Sequence, residues 1–207
     1  MKLKLFVALL CAASINACIA QTTDKKDDAV KKENNRLAKY NARGIYPAIK
    51  SSKMSGVLPV DGITEKPDTS LTYKLLISLT LGAGGGEKIK EVNKGLVEIG
   101  RLINLHIAAG VPKAKLQVVV VTHSKALYAL MNNEAFKKEF KDDNPNLTLL
   151  NEIESAGTKF IACGQALQFL EIKNEELLPE VKIALSAKTA ISTYRLKGYV
   201  LYEIDEE

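Results

Sequence analysis

Leu116-Gln117-Val118-Val119-Val120-Val121 is the stretch on which the fold turns. Branching at Cβ favours extended backbone, and four such residues in succession leave no polar face to turn toward water. The run therefore reads as a strand buried on both sides, which is the habit of a parallel sheet covered by helices.

Four similar runs flank it: Tyr73 to Leu79, Thr158 to Ala162, Val181 to Leu185 and Tyr199 to Ile204. Between the first two, Ile89, Val92, Leu96, Ile99 and Ile103 step by three and four, as the apolar stripe of one crossover helix does, and the stripe stops before Gly110-Val111-Pro112. Asn146 to Ala156 and Ala187 to Lys197 read as further helices, closed by Gly157 and Gly198. Strand and helix alternate throughout, which predicts an α/β fold with a parallel sheet between helical layers.

The N-terminal residues tell a different story. Met1-Lys2-Leu3-Lys4 precedes an uncharged run from Leu5 to Ile15, the pattern of a secretory signal and too short to span a bilayer core. Cleavage after Ala20 is the expected processing, with a lipid anchor on Cys18 as the alternative, because Ile15-Asn16-Ala17-Cys18 loosely resembles a lipobox. Both readings take the mature protein out of the cytoplasm, the first to the periplasm and the second to a lipid anchor through Cys18. Residues 21–55 read as a polar arm or linker with few apolar side chains to bury, and 56–207 as one α/β domain whose compact part begins near Thr72.

Loss of Lys2 and Lys4 lowers the formal charge from +5 to +3. Lysines and acids are interleaved, as in Lys137-Lys138-Glu139, and no basic stripe is present, which argues against nucleic acid as a partner. Of the three cysteines, Cys11 lies in the signal and Cys18 is removed or acylated, so Cys163 stands alone without an intramolecular disulfide partner.

Parallel sheets collect ligands at the carboxyl ends of their strands. Four loops follow such ends: Gly82 to Gly86, Thr122-His123-Ser124-Lys125, Cys163-Gly164-Gln165 and Ser186-Ala187-Lys188. The glycine loop fits neither the P-loop nor the dinucleotide fingerprint and reads as a connection. Cys163 is sharper, because a thiol between strand and helix faces unpaired amides that favour thiolate, here those of Gly164 and Gln165. His123 occupies the equivalent place on the neighbouring run and is a candidate to act on whatever binds at the thiol. His106 extends the Ile99 and Ile103 stripe and reads as a hydrogen-bonded core histidine. Metal-ligand spacing, a serine nucleophile elbow and cofactor motifs are all lacking in the sequence, so no metal or cofactor is expected.

Asn104-Leu105-His106, Val121-Thr122-His123-Ser124, Asn144-Pro145-Asn146-Leu147, Cys163-Gly164-Gln165-Ala166-Leu167, Ser186-Ala187-Lys188-Thr189-Ala190 and Gly198-Tyr199 together resemble the exported branch of the DsrE/DsrF-like family, over residues 56–204. The resemblance implies a three-layer α/β/α fold with a five-stranded, mainly parallel sheet, assembled as a homo-oligomer, a trimer or hexamer. It also implies sulfur relay, in which a cysteine accepts a sulfane sulfur as a persulfide and passes it on. Cys163 is the position that matches, with His123, Ser124, Gly164, Gln165, Ser186 and Lys188 as the surrounding substrate-binding residues. Ser124 departs from the pattern, since the exported branch more often carries glycine there. The alternative is a non-catalytic oligomeric module that binds a small ligand or a partner in the same pocket, with Cys163 merely lining it; a purely structural oligomer is a third reading.

Overall fold

Five strands run parallel in one sheet: β1 (Tyr73–Leu79), β2 (Leu116–Thr122), β3 (Lys159–Cys163), β4 (Lys182–Ala184) and β5 (Val200–Ile204), in the order β4-β3-β2-β1-β5. The structure is a computed structural model and describes residues 30–82 and 86–205. The signal reading on residues 1–20, the first part of the expected arm, and Ala83-Gly84-Gly85 of the glycine loop lie outside the described residues. No helix among the described residues is long and apolar enough to cross a membrane.

The valine run is the central strand, and its two faces are covered differently. Val118 and Val120 join Leu75, Ile77, Leu79, Phe160 and Ala162 in the larger core, with α2 (Lys94–Ala108), α3 (Asn133–Phe140), α4 (Leu147–Ser155) and α5 (Gly164–Phe169) contributing from that side. Val119 and Val121 face the other way, with Leu76, Ile161 and Cys163, under α6 (Ala187–Leu196). Each fully buried valine contributes about 1.5–3 kcal/mol, so neither face can be left wet. A three-layer α/β/α sandwich with an all-parallel sheet is the result, as the sequence predicts.

The chain divides into two units between Arg43 and Gly44. Of the first, the described residues 30–43 form a helix, α1, exposed from 30 to 39. The second unit is the α/β domain, and it begins earlier than the expected boundary at 55/56. Residues 45–57 form a strap closed by the antiparallel bridge Ile45–Val57, and Ile49 within it is wholly buried. What the composition misses is a side chain 50 residues away. Asn104 on α2, itself fully buried, accepts from the amides of Ala48 and Ile49 at 3.0 and 2.9 Å and donates to the carbonyls of Ile49 and Ser55 at 2.8 Å each. Its amide is fully satisfied, and four backbone groups of an otherwise loop-like segment are satisfied with it. Gly100 lets the strap approach, because a Cβ there would sit 2.9 Å from Ser55 Oγ and 3.0 Å from Ile49 Cγ2. At the far side the Glu152 carboxylate takes the amides of Lys50 and Ser51 at 2.8 and 2.9 Å.

Helix α2 also starts later than the apolar stripe suggests. Asn93 caps it, its side chain accepting from Leu96 N, so Ile89 and Val92 precede the helix and only Leu96, Ile99 and Ile103 of the stripe are buried on it. Asn93 is fixed in turn by Asn146 Oδ1 on its amide and by its own Nδ2 on the Leu81 carbonyl, both at 2.7 Å. Helix α3, capped by Asn132 on Ala135 N, has no counterpart in the expectations; at eight residues it is too short to show a stripe.

Asn104→Ala is expected to cost about 2–3 kcal/mol, because buried backbone partners lose their hydrogen bonds. Denaturant unfolding would measure the loss, and limited proteolysis should locate the new cuts within 45–57.

Candidate functional site

At the carboxyl edge of the sheet, alternation along each strand decides which side chains meet. Cys163 ends β3 and shares the α6 face with Ile161, Val119 and Val121. His123 follows Thr122, the residue paired with Ala162, and so lies one position further on, beside Cys163 and on the same face. Ser78, the penultimate residue of β1 and paired with Val121, is the third polar residue of this row.

The thiol is 6% exposed. Its Sγ accepts a hydrogen bond from the amide of Ala187 at 3.1 Å. That amide belongs to the first turn of α6, whose N–H groups have no partner within the helix and whose dipole is positive at that end. Ser186 sets the turn: its Oγ accepts from Thr189 N at 3.2 Å, capping α6 and bringing Ala187 N–H to the sulfur. The expectation that Gly164 and Gln165 would supply the amides meets a different arrangement, since Gln165 N is spent on the carbonyl of Leu185 at 3.2 Å. The donor comes from the next crossover, 24 residues on.

Gly164 matters for space. A Cβ there would lie 2.8 Å from the carbonyl oxygen of Ala184 and 3.3 Å from that of Leu185, so only glycine lets α5 start against β4. Lys188 is exposed on α6.

His123 is half-buried, and its Nε2 lies 3.0 Å from Ser78 Oγ, on the strand away from Cys163. Among the described residues no hydrogen bond joins it to the thiol. Burial holds its pKa below the ordinary 6.5. Ser124 has φ +56°, the left-handed region, which explains in physical terms why glycine suits this position and what serine costs. His106 lies elsewhere, on the flank of α2, with Nδ1 2.8 Å from the Leu102 carbonyl and its ring edge-on to Tyr73. It is hydrogen-bonded, as expected, but half-buried.

The pieces that carried the resemblance thus separate by role. Asn104, Asn144 and Asn146 are buried scaffold: Asn144 Nδ2 donates to the carbonyls of Ala129 and Met131 at 3.1 and 2.7 Å, and its Oδ1 holds Asn146. Cys163, His123 and Ser186 converge on the sheet edge. Ser78 was missed, although a lone serine near the end of the apolar run Leu75 to Leu79 is a signal that could have been read. A groove of about 600 Å³ lined by Pro47, Lys50, Lys113 and Glu152 lies by the C-terminus of α2, at the opposite end of the sheet, and takes no part in this site.

A family model described as the DsrE/DsrF-like family matches residues 96–202, just over half of the chain. Among solved structures, a protein of unknown function from Methanobacterium thermoautotrophicum is similar at 17% identity and a TM-score of 0.45, over 64% of this chain and 99% of that one. No curated protein gives a significant match.

Two outcomes are expected. Ser124→Gly should stabilise the protein by about 1 kcal/mol, read as a higher denaturation midpoint, since it removes the left-handed strain of a non-glycine residue. For His123, the native pKa lies below the unfolded one, so the unfolded chain binds more protons as the pH falls through 6.5. The stabilisation is whole above that pH and is lost toward the lowered native value. The stability difference between wild type and His123→Gln should therefore shrink between neutral pH and that range.

Proposed function

The chain belongs to the DsrE/DsrF-like family, and from that premise we propose that it is an exported sulfur carrier that takes up a sulfane sulfur as a persulfide on Cys163. The observation that carries this reading is the amide of Ala187 aimed at Cys163 Sγ from the start of α6. A donor N–H at the start of a helix favours negative charge on the sulfur it meets, and so serves both a thiolate and a terminal persulfide.

In the proposed step the Cys163 thiolate attacks the outer sulfur of a donor persulfide or thiosulfate. A bond forms between Sγ and that sulfur, the sulfur–sulfur bond of the donor breaks, and the leaving thiolate or sulfite keeps the electron pair. The proton given up by Cys163 passes to solvent, and no net oxidation takes place. Delivery to an acceptor thiolate repeats the exchange, with Cys163 as the leaving group. Gly164 leaves the room at the strand end, Ser186 fixes the donor amide, and His123, Ser124, Gln165 and Lys188 form the surroundings of the incoming sulfur compound.

Export follows from the signal-like residues 1–20, with acylation of Cys18 as the alternative fate and the periplasm as the address. A homo-oligomer, a trimer or hexamer, is part of the same proposal. It is supported by large apolar side chains left open on this chain, among them Phe169 at 87% exposure, Leu185 at 73% and Leu196 at 90%.

A second reading is favoured by the burial of Cys163 in the apolar cluster with Leu76, Val121 and Ile161. On that reading the domain binds a small ligand or partner and the thiol only packs.

Incubation with a sulfane-sulfur donor followed by intact mass separates the two. A carrier gains about 32 Da, lost in Cys163→Ser. An unmodified mass in wild type would leave the binding module. The same samples under native conditions should run at three or six chain masses; a monomer would remove the oligomer from the proposal.

A further inference from the structure

Ser78 is a polar residue in a strand that is otherwise apolar from Leu75 onward, and it is 8% exposed. The one hydrogen bond that its Oγ makes among the described residues is to His123 Nε2, at 3.0 Å. A neutral imidazole has one nitrogen that donates and one that accepts, and the partner of one decides the state of the other. If Nε2 carried the proton, the buried Ser78 O–H would be left without an acceptor, a cost that the other arrangement avoids. With Ser78 O–H donating to Nε2, both groups are satisfied and the ring proton sits on Nδ1. That nitrogen makes no hydrogen bond among the described residues, so its N–H is unspent on the face of the sheet that carries Cys163.

We propose that Ser78 is a positioning residue that holds His123 as the neutral Nδ1–H tautomer, making it a hydrogen-bond donor to the sulfur species at Cys163 and not the base that takes the thiol proton. Its purpose rests on the sulfur-carrier reading; the tautomer itself does not. Burial of the ring, which disfavours the imidazolium, acts in the same direction. Above its lowered native pKa such a donor is neutral and assists bound anionic sulfur without a change of charge, leaving the proton exchange of the thiol to solvent. The row then reads, across three strands and a helix, Ser78, His123, Cys163 and the amide of Ala187.

The test is side-chain ¹⁵N NMR of the purified protein at neutral pH, with sulfur loading by intact mass measured beside it. Wild type should show a protonated Nδ1 and an unprotonated Nε2 for His123. Ser78→Ala should move that pattern toward Nε2–H, and Ser78→Thr, which keeps the hydroxyl, should restore it. Loading of Cys163 should slow about tenfold in Ser78→Ala and recover in Ser78→Thr, the effect of one hydrogen bond lost in the transition state. A protonated Nε2 in wild type, or the same pattern in Ser78→Ala, overturns the assignment. If the tautomers behave as stated and Cys163 takes no sulfur in any variant, the carrier reading falls and the positioning of His123 by Ser78 stands.

Discussion

The constraint from which the rest of this structure follows is that the four valines of β2 have no wet face. Its valines point alternately into two cores, and a parallel strand of this kind needs crossover segments of a dozen residues or more to return the chain to the same end of the sheet. Helices on both sides satisfy the burial, and their loops are driven to the carboxyl edge. The thiol, the histidine and the serine lie along that edge because their strands end together, although 85 positions of sequence separate Ser78 from Cys163.

The two cores are unequal, and the inequality bears on chemistry. The larger is sealed by several helices and a strap pinned on Asn104. The smaller has α6 as its cover, so the N-terminus of that one helix points at the end of β3 and its first amide meets Cys163 Sγ. An orphan helix N–H has to be satisfied by something. Here a sulfur atom satisfies it, which couples the capping of α6 to the electrostatics of the thiol: the Ser186 cap that starts the helix also fixes the donor on the sulfur.

Local readings of the sequence succeeded where the cause is local. The five apolar runs, the glycines closing α4 and α6, and the placement of Cys163 at a strand end all rest on periodicity or on the backbone freedom of glycine, and the structure has φ +96° at Gly157 and +82° at Gly198. The departure at Ser124 was visible as a residue type, and its physical content, a left-handed backbone, became visible only with the dihedral angle. Residues 45–57 went the other way. Their composition is that of a loop, and one asparagine from α2 orders them.

By itself the sequence determined the layer architecture, the parallel sense of the sheet and the single thiol at its edge, because burial patterns and helix stops act between residues a few positions apart. Only the tertiary structure decided which groups serve that thiol. The amide of Ala187 reaches the sulfur while that of Gln165 is spent on Leu185, and His123 turns to Ser78, because strand register and the close approach of α5 to β4 bring together groups that no spacing in the chain relates.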